Sequence, residues 1–466
     1  MTTSFLFLLI SYLTLFVGHV FADHTVAKPK GARAIVVTSE NTLNATRPPT
    51  ARLAYTADGS LQISVTNNLD SPNVTAYVTG LDPSGQLVML QPDGQWFYPT
   101  AGLSPIPRIV VGDISIPLGA PGSITNLTLP TYLSSGRIWF ADGDLKFFTV
   151  PGAAGPALVQ PSAANPSDPS ASVNWGFIEL TNIPQGLYAN ISYVDFLGLP
   201  LGMSLIGASG TQTSLGVSAD AVIQLCKLLT ARSNEAPVPW DQLCVTDTSG
   251  KAIRVLSPAL YSSINGTALA KVFNGYVNRV WQRYTKEPLV INTQAGPGKV
   301  KCWVKQDVLK CDGDSTTYAK PSSFDIFGCN TGPFAISGSA TNLGVVPRLC
   351  AAFNRATLLL PRGNVQPQVQ SPRYYLSSPR NWYSYFVHTL ELDGKGYAFS
   401  YDDVTPDNTV DLSGLLADSN PSLMAITVGG PTLNSGDTIT TSIPTPTATA
   451  STLITRATLI AKVTHI

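Results

Sequence analysis

Between residues 51 and 148 the chain passes through a series of short β-favouring runs: LQISVTNN, VTAYVTGLD, GQLVMLQPDGQWFY, RIVVGDISIPL, SITNLTLP and GRIWFADGDLKFFTV. Turn dipeptides at Asp58-Gly59, Asp93-Gly94 and Asp142-Gly143 punctuate them. Runs this short, reversed by Asp-Gly, cannot bury enough surface as helices, and their spacing predicts an antiparallel sandwich or barrel. The stretch VPGAAGPALVQPSAANPSDPS follows and reads as one long loop.

The periodicity then changes. SADAVIQLCKLLTAR puts Ala221, Val222, Leu225, Leu228 and Leu229 on one helical face, with Ser218 as the expected cap. GTALAKVFNGYVNRVWQRYTK and PRLCAAFNRATLLL predict two further helices. All six cysteines fall in this middle part, and in an oxidising compartment an even number reads as disulfides rather than metal ligands. Pairing neighbours gives Cys226–Cys244, Cys302–Cys311 and Cys329–Cys350, the middle pair tying a hairpin around WVKQDVLK, although sequence alone leaves the connectivity open. NWYSYFVHTLELDGKGYAFSYDDV predicts a return to strands, with His388 packed in one of them. The plan is therefore mainly β: a sandwich or barrel over 51–215, a mixed α/β insert with the cysteines over 216–375, and strands completing the β core over 376–430. A cleft between two such lobes is a natural binding site.

The ends and the charge balance bound the setting. Residues 1–22, MTTSFLFLLISYLTLFVGHVFA, read as a signal peptide, because the apolar run falls short of the ~20 residues a membrane span needs. An N-terminal extension (23–50) follows. At the other end, 431–466 is a Thr-rich, Pro-punctuated tail whose final residues, broken by Arg456 and Lys462, do not make a lipid-anchor signal. Secretion, to the medium or the cell wall, is the expectation, and the sequons at Asn44, Asn73, Asn126, Asn190 and Asn265 are then open to glycosylation. Lys and Arg together number 29, balancing 29 Asp and Glu without a basic cluster, which argues against nucleic acid or an anionic membrane as partner. We expect a monomer with no membrane span in the mature chain.

Histidine is too scarce for the commonest hydrolytic chemistries. Of His19, His24, His388 and His465, only His388 lies in the folded body, so a multi-histidine zinc site is excluded and a serine triad would rest on that residue alone. Carboxylates become the candidates. In WGFIELTNIPQGLYANISYVDFLGLPLG, Glu179 and Asp195 stand in apolar, strand-like runs with no basic residue between Phe147 and Leu215. Glycoside hydrolysis needs one carboxyl protonated and one ionised, and an apolar FIEL wall would raise the first. Two registers fit. A tight turn at Pro184–Gly186 puts Asp195 roughly 13–17 Å along from the partner of Glu179 at strand rise. A wider loop brings the two acids to roughly 7–8 Å, on one face, with Asn190 on the opposite face from Asp195. The bland alternative is that both acids simply face solvent from a half-buried sheet.

The segments LQISVTNNLDSPNVTAYVTGLD, GRIWFADG, WGFIELTN, GLYANISYVDFLGLPLGM, SSFDIFGCNTG, RLCAAFNRATLL and GYAFSYDDV resemble glycoside hydrolase family 64, endo-β-1,3-glucanases of thaumatin-like architecture. The resemblance runs from about residue 51 to 410, and its most specific element is the FIE…YVDF pair. It implies that Glu179 is a general acid, that Asp195, sixteen residues on, is the general base of an inverting reaction, and that β-1,3-glucan lies in a wide groove. No metal or organic cofactor is implied. Trp139, Trp175, Tyr193 and Tyr401 are candidate sugar-stacking rings, and Asp402 and Asp403 candidate groove-lining acids. A non-catalytic thaumatin-like, glucan-binding wall protein is the competing expectation, because one fold carries several functions.

Overall fold

The computed structural model describes residues 59–431 and three short strands ahead of them, Thr25–Ala27, Ile35–Val37 and Thr42–Leu43. The expected signal peptide, the sequon at Asn44 and the tail beyond Pro431 lie outside the described residues. The architecture is mainly β with helices, several sheets and three disulfides.

Strand Leu61–Asn67 alternates buried Leu61, Ile63 and Val65 with more open Gln62, Ser64 and Thr66, the signature of one-sided burial. It pairs antiparallel with Ile124–Leu129 and parallel with Pro421–Val428; Leu201–Gly207 and Gly210–Ser214 complete a five-stranded sheet. A larger sheet runs in the order Leu416–Asp418, Gly186–Ile191, Asn174–Ile183, Leu133–Asp142, Val74–Leu81, Leu87–Leu90 and Trp96–Phe97. Val74–Leu81 is buried along its whole length, as a central strand covered on both faces must be. Side chains from both sheets merge into one continuous apolar core.

The cysteine-bearing part carries its own five-stranded sheet, Thr317–Tyr318, Val308–Cys311, Lys299–Lys305, Leu289–Asn292 and Val365–Gln366, whose last pair is parallel. All three disulfides join sequence neighbours as expected. Cys302 and Cys311 face each other directly across a hairpin, 4.0 Å apart at Cα.

Several local expectations change. Helix Ala221–Glu235 starts after Asp220, and Ser218 donates to the Asp220 carboxylate instead of capping the helix. The third helix spans Ala340–Asn354, beginning at a Ser339 cap ahead of Pro347; burial of Val345, Val346 and Leu349 holds the turn that proline interrupts. VPGAAGPALVQ forms most of a hairpin, Phe148–Gly152 with Gly155–Val159, so the loop proper begins at Gln160. The largest correction concerns NWYSYFVH. Its aromatic residues favour strands, yet Trp382–Leu390 is a helix: Tyr383, Phe386 and Val387 bury one helical face, and the Asn381 side chain caps the Ser384 amide. SYDDV is a turn rather than a strand.

Candidate active site

Glu179 lies mid-strand in Asn174–Ile183, opposite Arg137 on one neighbouring strand and Asn190 on the other. Its environment is not the apolar wall the local sequence suggests. The Arg137 guanidinium donates to Oε1 at 2.9 Å, and the Asn190 amide donates to Oε2 at 3.4 Å. The side chain is 36% exposed, at the open part of the sheet face. Arg137 is itself fixed: it donates to Gln160 Oε1 at 2.8 Å and lies 4.4 Å over the Phe177 ring and 5.5 Å from the Trp139 ring. The cation missing between residues 147 and 215 is therefore supplied across the sheet, and Gln160 gives the loop after residue 159 a part in holding it.

The turn is the tight one: Ile183 pairs with Gly186, and Glu179 with Asn190. Asp195, however, does not continue the strand. The ladder stops at Ile191 and the chain bends at Val194 and Asp195 before the short strand Phe196–Leu197. From there it folds back over the start of the Glu179 strand, with the Leu199 amide donating to Trp175 O at 3.1 Å. Phe196 packs on Trp175 at 4.5 Å and on Phe177 at 5.9 Å between centroids. Trp175 and Phe177 alternate onto the same face as Glu179. Phe196, next to Asp195, thus covers that face at Trp175 and Phe177, whereas Glu179 stays open to solvent. The straight-strand separation drawn from a tight turn does not apply.

Close approach requires glycine on both sides of this crossing. A Cβ on Gly176 would stand 2.7 Å from Leu199 O, and one on Gly198 would press into Trp175 O. Beyond Phe196, Ser257 N donates to Asp195 O at 2.8 Å. Arg254, on the adjoining strand Ala252–Leu256, is fully buried and donates to the carbonyls of Ala171 and Val173. Asp168 faces it, accepting from the Ser162 and Ser170 amides; burial raises its pKa, with those amides and Arg254 opposing.

The other candidates divide. Trp139, Trp175 and Tyr193 are 1%, 2% and 3% exposed, so they are core and cannot stack on sugar. Tyr401 is half-buried. Asp402 is 3% exposed and bound to Arg355 and His388, so it does not line a groove, whereas its neighbour Asp403 is exposed. Tyr188 was missed: it is 42% exposed, paired with Thr181, two residues from Glu179 on the same face. Strand alternation in GLYANI was the signal for it. Asn190 also faces Glu179, so a glycan there would sit on the acid. Asn73 and Asn126 are exposed and Asn265 is half-buried. Among the described residues no group of three or more His, Cys, Asp or Glu side chains is placed to hold a metal, and no helix is long and apolar enough to cross a membrane.

The family model described as beta-1,3-glucanase matches residues 59–428, nearly all of the described body. The chain belongs to glycoside hydrolase family 64. A glucan endo-1,3-beta-glucosidase of Cellulosimicrobium cellulans is 25% identical over 375 residues, covering 79% of this chain and 65% of that protein; one from an Arthrobacter strain matches to the same extent. The chain thus spans just under two thirds of the length of these relatives. A laminaripentaose-producing beta-1,3-glucanase, solved in complex with laminaritetraose, superposes with a TM-score of 0.70 at 28% identity, covering 79% of this chain and 98% of that one. The family 64 domain of Clostridium beijerinckii shares the fold, with a TM-score of 0.62 at 23% identity and the same coverage.

Proposed function

We propose that this family 64 protein is a secreted, monomeric endo-β-1,3-glucanase acting on cell-wall glucan by inversion in a thaumatin-like groove, without metal or organic cofactor. The observation that carries the reading is the placement of Glu179: held from both sides by Arg137 and Asn190, and open to solvent on a sheet face that Phe196, next to Asp195, partly covers. Glu179, once protonated, gives its proton to the glycosidic oxygen as the C1–O bond breaks. Asp195 removes a proton from the water that attacks C1 from the opposite side, so the new anomeric hydroxyl is inverted. Tyr188, along the same face, offers a ring for an adjacent glucose, and Tyr401 and Asp403 offer contacts from the turn. The complex of the relative with laminaritetraose supports β-1,3-glucan as substrate.

The test is product analysis on linear β-1,3-glucan with the mature protein, Glu179→Gln and Asp195→Asn side by side. Oligosaccharides from the wild type, with loss of ~10²–10⁴-fold in kcat in each variant, support the assignment. Full activity in either variant would mean the wrong carboxylate has been named, and no product from folded wild type would leave a glucan-binding protein without turnover.

A further inference from the structure

Outside the acid pair, the densest charged cluster is buried. Arg355, Asp402, His388 and Glu391 form a chain: Arg355 Nη2 to Asp402 Oδ1 at 2.8 Å, Asp402 Oδ2 to His388 Nε2 at 2.9 Å, and His388 Nδ1 to Glu391 Oε2 at 3.0 Å. With His388 protonated, two cations alternate with two anions. Burial opposes the charge on His388, but the Asp402 and Glu391 carboxylates outweigh it and hold its pKa at about 10. Asp402 is likewise held below the ordinary carboxylate range despite its burial, by His388, Arg355 and the Ala398 amide, whereas burial raises Glu391. Tyr375 packs on the His388 ring, Tyr374 lies under Arg355, and Tyr193 and Asp393 neighbour Glu391.

What the cluster grips is the approach to Asp195. Asp402 accepts from Ala398 N at 2.9 Å, and Arg355 donates to the carbonyls of Asp402 and Val404, so the turn 398–404 is wrapped on these charges. Tyr397, at the head of that turn, accepts from Tyr193 N at 2.8 Å and bridges Ser192. The helix that carries His388 also supplies Tyr383, whose hydroxyl donates to Tyr193 O at 2.6 Å and whose ionisation is opposed first by burial and then by the Asp195 carboxylate. Ser384 Oγ ties the helix to Ala398 O at 3.2 Å. The strand has left its ladder with Asn174–Ile183 at this point, so these bonds hold the approach to Asp195 from one side, as Ser257 N to Asp195 O does from the other.

We propose that the Arg355–Asp402–His388–Glu391 chain, acting through Tyr397 and Tyr383, is the positioning element for Asp195. The inference rests on Asp195 being the base. A buried chain of this kind holds its neighbours only while its charges balance, since one uncompensated buried ion repacks or hydrates its surroundings. His388→Gln leaves one anion in excess and Glu391→Gln one cation, whereas the double variant restores neutrality.

The experiment measures kcat and KM on linear β-1,3-glucan for both single variants, the double variant and Tyr383→Phe, which removes one strut without touching a charge. Hydrogen exchange is followed on peptides covering 187–199 and 174–183. We expect kcat to fall about 10- to 100-fold in each single variant with KM within about 2-fold, as for an ångström-scale displacement of a reacting group. The double variant should exceed both singles, Tyr383→Phe should share the kcat loss, and exchange should quicken around Tyr193 but not around Glu179. Folded single variants with wild-type kcat, or with KM raised and kcat kept, overturn the inference. If the single variants do not fold, a wild-type kcat in Tyr383→Phe overturns it. An inactive wild type would refute the glucanase reading, and unchanged exchange around Tyr193 in the variants would then refute the positioning role separately.

Discussion

Gly198→Ala tests how the crossing segment sets the site. The backbone of Gly198 is outside the left-handed region, so space alone is at issue. Ordinary contact for a Cβ begins at 3.4 Å; here the added carbon would stand 2.7 Å from Phe196 Cε2 and far inside contact with Trp175 O. Trp175 O is fixed in the strand and already accepts from Leu199 N. The segment 196–199 must therefore lift by roughly 1 Å, carrying Asp195 with it, and with Asp195 as the proposed base a displacement of that size corresponds to about 10²-fold in kcat. Overpacking should lower stability by about 1–3 kcal/mol. KM should change little, because Asn190 and Tyr188 lie on a strand the substitution does not touch and Glu179 stands four residues beyond Trp175 in the laddered part of its own. The assay is reducing-end release from linear β-1,3-glucan with a thermal melt beside it. Gly296→Ala is the control, since a Cβ there meets nothing within 4 Å. Wild-type kcat in folded Gly198→Ala would refute the reasoning.

Three further outcomes follow from the same geometry. Tyr188→Ala should raise KM for glucan about 5-fold, the equivalent of ~1 kcal/mol of ring stacking, with an unchanged melt; an unchanged KM would remove Tyr188 from the binding face. Glycopeptide mass spectrometry of active protein from a glycosylating host should find Asn190 unmodified, because its amide donates to Glu179; an occupied Asn190 in active enzyme would contradict that contact. His388 has its folded-state pKa raised from 6.5 to about 10, so the stability it contributes is whole below pH 6.5 and is lost as pH rises to about 10. Melting temperature should decline across that interval more steeply in wild type than in His388→Gln, and parallel curves would show that the imidazole is not held charged.

Sequence by itself determined the features that depend on near neighbours. Turn dipeptides and alternation gave the strands between residues 61 and 142, because reversal and one-sided burial are properties of a few consecutive residues. Helical spacing gave Ala221–Glu235, and the acid spacing resembled that of family 64, whereas the cysteine pairing, expected between neighbours but left open by sequence, was decided by the fold. Failure came where a residue's role is set from across the chain. Glu179 reads as an acid in an apolar strand, since its cation arrives from Arg137, 42 residues earlier. Asp195 reads as a strand residue because the bend follows from the loss of a ladder partner and the packing of Phe196 on Trp175. Aromatic-rich NWYSYFVH reads as strand until its capped helix brings His388 between Asp402 and Glu391. Whether Trp139 is core or platform depends on what covers it, and coverage is a property of the assembled sheets. Local conformational preference is encoded within a few residues, whereas desolvation and charge pairing depend on which distant atoms arrive, and only the folded chain decides that.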